Sequence, residues 1–152
     1  MSIDKYLEKD KELTTYVLRL NGNKYTISLS DELTFSFETI NEDLIKHAAK
    51  MAFVSACFEE ATYILEKARL DLTQLESSLY VGYKGTNGGS GKPLTETMLK
   101  AMIDTDRDVI VKRSDIITYE SYHRELKNIV KCFETRFFAM QSFVSTIRKS
   151  NT

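Results

Sequence analysis

The chain has 152 residues, 42% of them hydrophobic and 28% charged, and a formal net charge of −1. That length suits one domain with a small appendage, and the apolar share is enough for a real core. A charge so near zero excludes a protein that holds nucleic acid by bulk basicity; a polyanion site must come from local clustering or from repetition around an oligomer.

Residues 2–12 are predicted as one short polar helix. The opening MSIDKYLEKDKEL lacks the apolar run of a signal peptide. Two runs rich in Thr, Tyr, Val, Leu and Ile follow, Leu13–Leu20 and Lys24–Leu29, separated by Asn21-Gly22-Asn23. Asn-Gly between such runs signals a β-hairpin. Alternation puts Tyr16, Leu18 and Leu20 on one face of the first strand, and Tyr25, Ile27 and Leu29 on one face of the second. A lone hairpin is marginal in water, so this one must lie on a helix or on a neighbouring subunit. Residues 31–38 are expected as a short extended segment. Thr39-Ile40-Asn41-Glu42 reads as a capping box, with Asn41 as a second possible N-cap.

From Asn41 to Tyr80 there is no proline and no glycine. Leu44, Met51, Phe58, Leu65, Leu72 and Leu79 recur every seven positions, and His47, Val54, Ala61, Ala68 and Leu75 sit three residues after the first five. This a/d pattern predicts a helix that packs along its whole length against others. Such a helix is roughly 60 Å long and needs partner helices in its own chain, in other copies, or in both. It is expected to end near Val81-Gly82. Five of the six glycines and the only proline then fall between Gly82 and Pro93, a loop.

Leu94–Ile103 is predicted as a short amphipathic helix with Leu94, Met98, Ala101 and Met102 as its apolar side. Asp104–Ser114 is expected as a charged connector. The last helix is placed from about Ile117 to Arg148, with an a/d series through Tyr119, Tyr122, Leu126, Ile129, Phe133, Arg136, Met140, Phe143 and Ile147. Val130, Phe137 and Val144 widen that stripe beyond what a two-helix seam requires. Burying each such residue is worth roughly 1.5–3 kcal/mol, so an oligomer interface is the natural use of the excess.

Nothing in the sequence points to catalysis, a cofactor or a metal. GYKGTNGGSGKP fails as a phosphate loop, because Thr86 stands where glycine is needed, Pro93 follows Lys92, and a helix rather than a strand precedes it. Asp104, Asp106 and Asp108 alternate like the start of a calcium loop, but Val109 occupies the glycine position and Asp115 the terminal glutamate position. His47 and His123 lie in different helices without a triad partner. Cys57 and Cys132 have no metal-type neighbourhood and read as small hydrophobes in a reducing cytoplasm. No apolar run is long enough for a membrane span.

Two basic features remain. Lys67 and Arg69 flank the seam residue Ala68, and Lys84 and Lys92 belong to the loop region with Tyr80 and Tyr83 beside them. Cations next to tyrosines suit single-stranded nucleic acid, with phosphate on the cation and a base on the ring. The plain alternative is a solvated helix end with Lys67–Asp71 as an i,i+4 pair. Arg136 interrupts the last seam. Either it pairs with a carboxylate on the facing helix, such as Glu59, Glu60, Glu66 or Asp71, or it points into a groove and meets phosphate.

Lys67-Ala68-Arg69-Leu70-Asp71, then Asp106-Arg107-Asp108-Val109-Ile110, then Arg136-Phe137-Phe138-Ala139-Met140 form an ordered set. Together they resemble the UvsY recombination mediator family of T-even-like phages, over roughly residues 44–150. The resemblance implies a non-enzymatic homo-hexamer or heptamer, ring-shaped, that binds single-stranded DNA in the host cytoplasm. It also implies that the protein helps load a RecA-type recombinase onto DNA coated by single-strand-binding protein. The family's basic pair maps onto Lys67 and Arg69; Lys84 and Lys92 are added from loop composition.

The expected fold is mainly α, a long antiparallel helical hairpin with a short crossover helix, plus an N-terminal β-hairpin. The expected division is an appendage of residues 1–38 and a helical core of 39–152 with the Gly-rich loop at 82–93. The rival reading is a coiled-coil scaffold or virion-associated oligomer without nucleic-acid binding.

Overall fold

Residues 15–85 and 93–150 are described by a computed structural model. The predicted helix at 2–12, the start of the first strand at Leu13, and most of the Gly-rich loop with Lys92 lie outside the described residues. The elements run in the order β1 (Thr15–Leu20), β2 (Asn23–Ser28), α1 (Leu29–Leu33), α2 (Ile40–Lys84), α3 (Glu96–Thr105) and α4 (Arg107–Ser150). The fold is mainly α with a two-stranded antiparallel hairpin, as the sequence predicts. Among the described residues, those up to Thr62 and from Ser121 onward form one compact unit, and those from Tyr63 to Glu120 form another. α2 and α4 each contribute a segment to both.

In the first unit the hairpin turns at Asn21 and Gly22, whose φ values are +50° and +79°. Positive φ at both central residues is the turn that matches the twist of paired strands. Register pairs Tyr16 with Ile27 and Leu18 with Tyr25, so one face is apolar on both strands. That face covers helices. Leu18 is fully buried in a cluster with Val54, Cys57 and Ala61 of α2 and Tyr122, Leu126, Ile129 and Phe133 of α4. The Tyr25 ring meets Phe53 edge-on at 4.7 Å, and the Asn21 N–H donates to Glu60 Oε2 at 3.1 Å. Gly22→Ala keeps the space, since an added Cβ would meet nothing within 4 Å, but not the backbone preference. It should cost about 1 kcal/mol, read as a lowered urea midpoint with an unchanged slope.

Residues 29–33 are helical, correcting the extended segment expected at 31–38. The first turn of α1 carries Asp31 and Glu32, which favour a helix N-terminus. Glu32 forms an ion pair with Lys50 of α2. The capping box at Thr39–Glu42 is also replaced. Thr39 exchanges hydrogen bonds with Ser36, its N–H donating to Ser36 Oγ and the Ser36 N–H donating to Thr39 Oγ1. The Thr39 hydroxyl donates to Asp43 Oδ2 at 2.7 Å, while Glu42 pairs with Lys46.

The heptad seam of α2 holds. His47, Val54, Ala61 and Leu65 are buried, and the other a/d residues from Leu44 to Leu79 are half-buried. α4 packs antiparallel to α2 in the first unit, where Phe58 stacks on His123 at 4.7 Å and His47 lies near Phe133 at 6.1 Å. In the second unit Arg69 meets Glu120 and Arg113 meets Glu76, again antiparallel. The seam of α4 is as expected, with Tyr122, Leu126, Ile129, Phe133, Arg136 and Met140 buried.

Three boundaries differ. α2 runs to Lys84, so Gly82 sits inside its last turn. α4 begins at Arg107, ten residues before the predicted start, because Asp106 caps it. The Asp106 Oδ1 accepts from the backbone N–H of Asp108 and of Val109. The connector expected over 104–114 is therefore the single residue Asp106 between α3 and α4. α3 buries Leu99 and Ile103 instead of Met98, Ala101 and Met102, which are exposed. The Thr95 hydroxyl accepts from the Met98 N–H and starts the helix two residues later than predicted, and the packed stripe is an i,i+4 pair on the other side.

Candidate nucleic-acid interface

The sequence-predicted cations of α2 lie in the second unit. Lys67 is exposed, makes no ion pair among the described residues, and does not reach Asp71. Arg69 donates through Nη1 to Glu66 Oε1 at 2.8 Å and through Nη2 to Glu120 Oε1 at 2.7 Å. The hydrogen bond to Glu120, then the one to Glu66, pushes its pKa above the usual arginine value. Arg69 thus faces solvent with its charge already balanced, whereas Lys67 does not.

Lys84 is the last residue of α2. Its Nζ donates to the Tyr80 hydroxyl at 3.2 Å, which donates to Glu96 Oε1 at 2.9 Å. This relay ties the helix end to α3, and the Tyr80 contact is the chief cause of a raised Lys84 pKa. About 25 Å of helix separates Lys84 from Lys67. The structure therefore does not bring these cations into one cluster.

Asp104 and Asp106 of the α3–α4 corner have structural partners. Asp104 accepts from Arg113 Nη2 at 2.8 Å, and Glu76 accepts from the same nitrogen at 2.7 Å. Asp106 caps α4 and accepts from the Tyr83 hydroxyl at 3.3 Å. Among the described residues no cluster of His, Cys, Asp and Glu is arranged to hold a metal ion.

Arg136 belongs to the first unit, is 5% exposed, and has a carboxylate partner that differs from the four expected. Its Nη2 lies 3.3 Å from Asp43 Oδ1 and donates to the Thr34 carbonyl at 3.1 Å, and Nη1 contacts His47 Nδ1 at 3.2 Å. The antiparallel register sets position 136 against the start of α2, which is why Glu59, Glu60, Glu66 and Asp71 are out of reach. A guanidinium only donates, so Nδ1 must accept and His47 is the neutral Nε2–H tautomer. Burial, then the Arg136 charge, lowers the His47 pKa accordingly.

Sequence reasoning missed a second basic surface, on α4 in the first unit. Arg124, Lys127 and Lys131 are exposed and hold no carboxylate among the described residues. The signal was present as an i, i+3, i+7 spacing of like charges on one helix face.

No family model and no curated protein matches the chain. Among solved structures, the crystal structure of the recombination mediator protein UvsY of bacteriophage T4 is similar, with a TM-score of 0.62 and 7% sequence identity. The match covers 81% of this chain and 92% of that one. This chain has a UvsY-like fold. No described helix is long and apolar enough to cross a membrane.

Proposed function

We propose that this chain is a non-enzymatic recombination mediator that binds single-stranded DNA and helps load a RecA-type recombinase onto DNA coated by single-strand-binding protein. The observation that carries the reading is the backbone likeness to the bacteriophage T4 mediator over most of both chains.

Lys67 and Arg69 are the primary DNA contacts in this reading, with Lys84 and Lys92 as further contacts. With a net charge of −1, one copy grips DNA weakly. Self-association into a ring of six or seven multiplies the grip, because linked weak sites raise the effective concentration of each along one strand. Large apolar side chains left exposed on the long helices support self-association, among them Ile45, Tyr63, Ile117 and Phe138, each at least 65% exposed. A groove of about 690 Å³ in the first unit, bordered by His47, Met51, Ala52, Phe137 and Phe138, offers such a surface.

Anisotropy of a labelled oligo-dT at two salt concentrations tests the reading, with native mass spectrometry on the same sample for subunit number. Binding that weakens steeply with salt is expected. Lys67→Ala with Arg69→Ala should lower affinity about tenfold while the oligomer persists. An oligomer that ignores DNA in dilute buffer would leave a scaffold role instead.

A further inference from the structure

We infer that the outer face of α4 from Arg124 to Lys131 is a second single-strand track, with a base entering the cleft beside it. The inference rests on the DNA-binding reading above and adds to it residues of the first unit other than Lys67 and Arg69. Along an ideal helix the three cations span about 10 Å and lie within an arc of about 60°. From Ser121 to Lys149 the chain carries six Lys and Arg against Glu125 and Glu134. Lys46, Lys50, Arg69, Arg113 and Arg136 each hold a carboxylate, whereas Lys67, Lys100, Arg107 and Lys112 hold none among the described residues but do not share one helix face with a cleft beside it. Arg124, Lys127 and Lys131 hold none among the described residues, so their charge is directed at solvent.

The stripe borders a cleft of about 340 Å³ within the same unit. Arg124 and Asn128 form its charged and amide side, the Tyr16 ring its aromatic side, and Cys132 and Glu125 line it beside the apolar Leu29 and Ile129. A cationic rail beside an aromatic pocket is the combination that single-strand binders use, phosphate on the rail and base on the ring. Chemistry divides the two sides. The carboxylate of Glu125 repels phosphate but accepts a hydrogen bond from a base amino group, and one of its oxygens is buried without a hydrogen-bond partner. Phosphates therefore belong on the outer rail and a base in the cleft.

The test uses the full chain with labelled oligo-dT and oligo-dC. Arg124→Gln, Lys127→Gln and Lys131→Gln together should weaken binding at least tenfold and reduce the salt slope by about 2, near 0.7 for each lost phosphate contact. The charge-keeping set Arg124→Lys, Lys127→Arg and Lys131→Arg should bind like the parent. In a second readout, saturating oligo-dC, whose bases carry an amino group for Glu125, should slow maleimide labelling of Cys132 severalfold. Cys57 stays unreactive as an internal control, since burial pushes its thiol up to about 11. Parent-like affinity and slope in the Gln variant, or unchanged Cys132 labelling, overturns this track while the mediator reading stands. A parent protein that binds no DNA overturns both.

Discussion

Phe133→Ala should lower folding stability by about 3–5 kcal/mol, among the largest effects available in this chain. The Phe133 ring is 1% exposed and sits where the hairpin, α2 and α4 meet in one cluster with Leu18, Val54 and Leu126. Truncation removes the transfer free energy of a benzyl group and leaves a cavity lined by three elements that cannot all collapse into it. For a chain of this size each kcal/mol moves Tm by about 2–4 °C, so a fall of roughly 10 °C is expected in thermal unfolding at fixed protein concentration. A fall below about 2 °C would mean that the cluster does not hold the hairpin to the helices.

Arg136→Ala should cost about 3–5 kcal/mol by a different route. The guanidinium is buried against Asp43, His47 and the Thr34 carbonyl, so its removal strips three acceptors of their donor at once. Arg136→Met, which keeps the packed stem, should cost less, and the difference between the two variants separates packing from polar loss. Urea unfolding at pH 7 reads both. A cost below 1 kcal/mol for Arg136→Ala would show that the guanidinium only snorkels to solvent.

The same cluster sets a pH dependence. The Asp43 carboxyl is held below the usual carboxylate range, first by the Thr39 hydroxyl and then, against some desolvation, by Arg136. His47 is lowered by burial and by the Arg136 charge. Both groups bind protons more readily in the unfolded chain, so both contributions are complete above the unfolded pKa and fade as pH falls. For His47 the loss begins below the ordinary value of 6.5, and for Asp43 below 3.8. Urea midpoints should therefore be flat from pH 8 to 7 and fall toward pH 5. In His47→Gln that first fall should be reduced.

Much of the fold is legible in the residues. Positive φ at Asn21-Gly22 is a local steric preference, and the seven-residue recurrence from Leu44 to Leu79 states a buried face whatever packs on it. Local chemistry was misread where two short-range signals competed. Asp106 looked like part of a charged connector, yet its carboxylate caps the next helix and moves the start of α4 back to Arg107. The methionines of α3 looked like the packed side, yet Leu99 and Ile103 are buried, because periodicity in ten residues does not say which of two apolar stripes meets a neighbour.

The candidate site divides the same way. That Lys67, Arg69, Arg124, Lys127 and Lys131 are cations on helices follows from the sequence alone, whereas Lys84, expected in the loop, is the last residue of α2. Which of them keeps an unbalanced charge depends on residues far along the chain, and only packing supplies that. Glu120 comes from α4 to neutralise Arg69, while Arg124, Lys127 and Lys131 form no ion pair among the described residues. Arg136 likewise turns inward because the antiparallel register brings Asp43 and His47 to it. Helix periodicity is a property of nearest neighbours and survives in sequence; electrostatic pairing between helices falls off over a few ångströms and is decided by the register in which they dock.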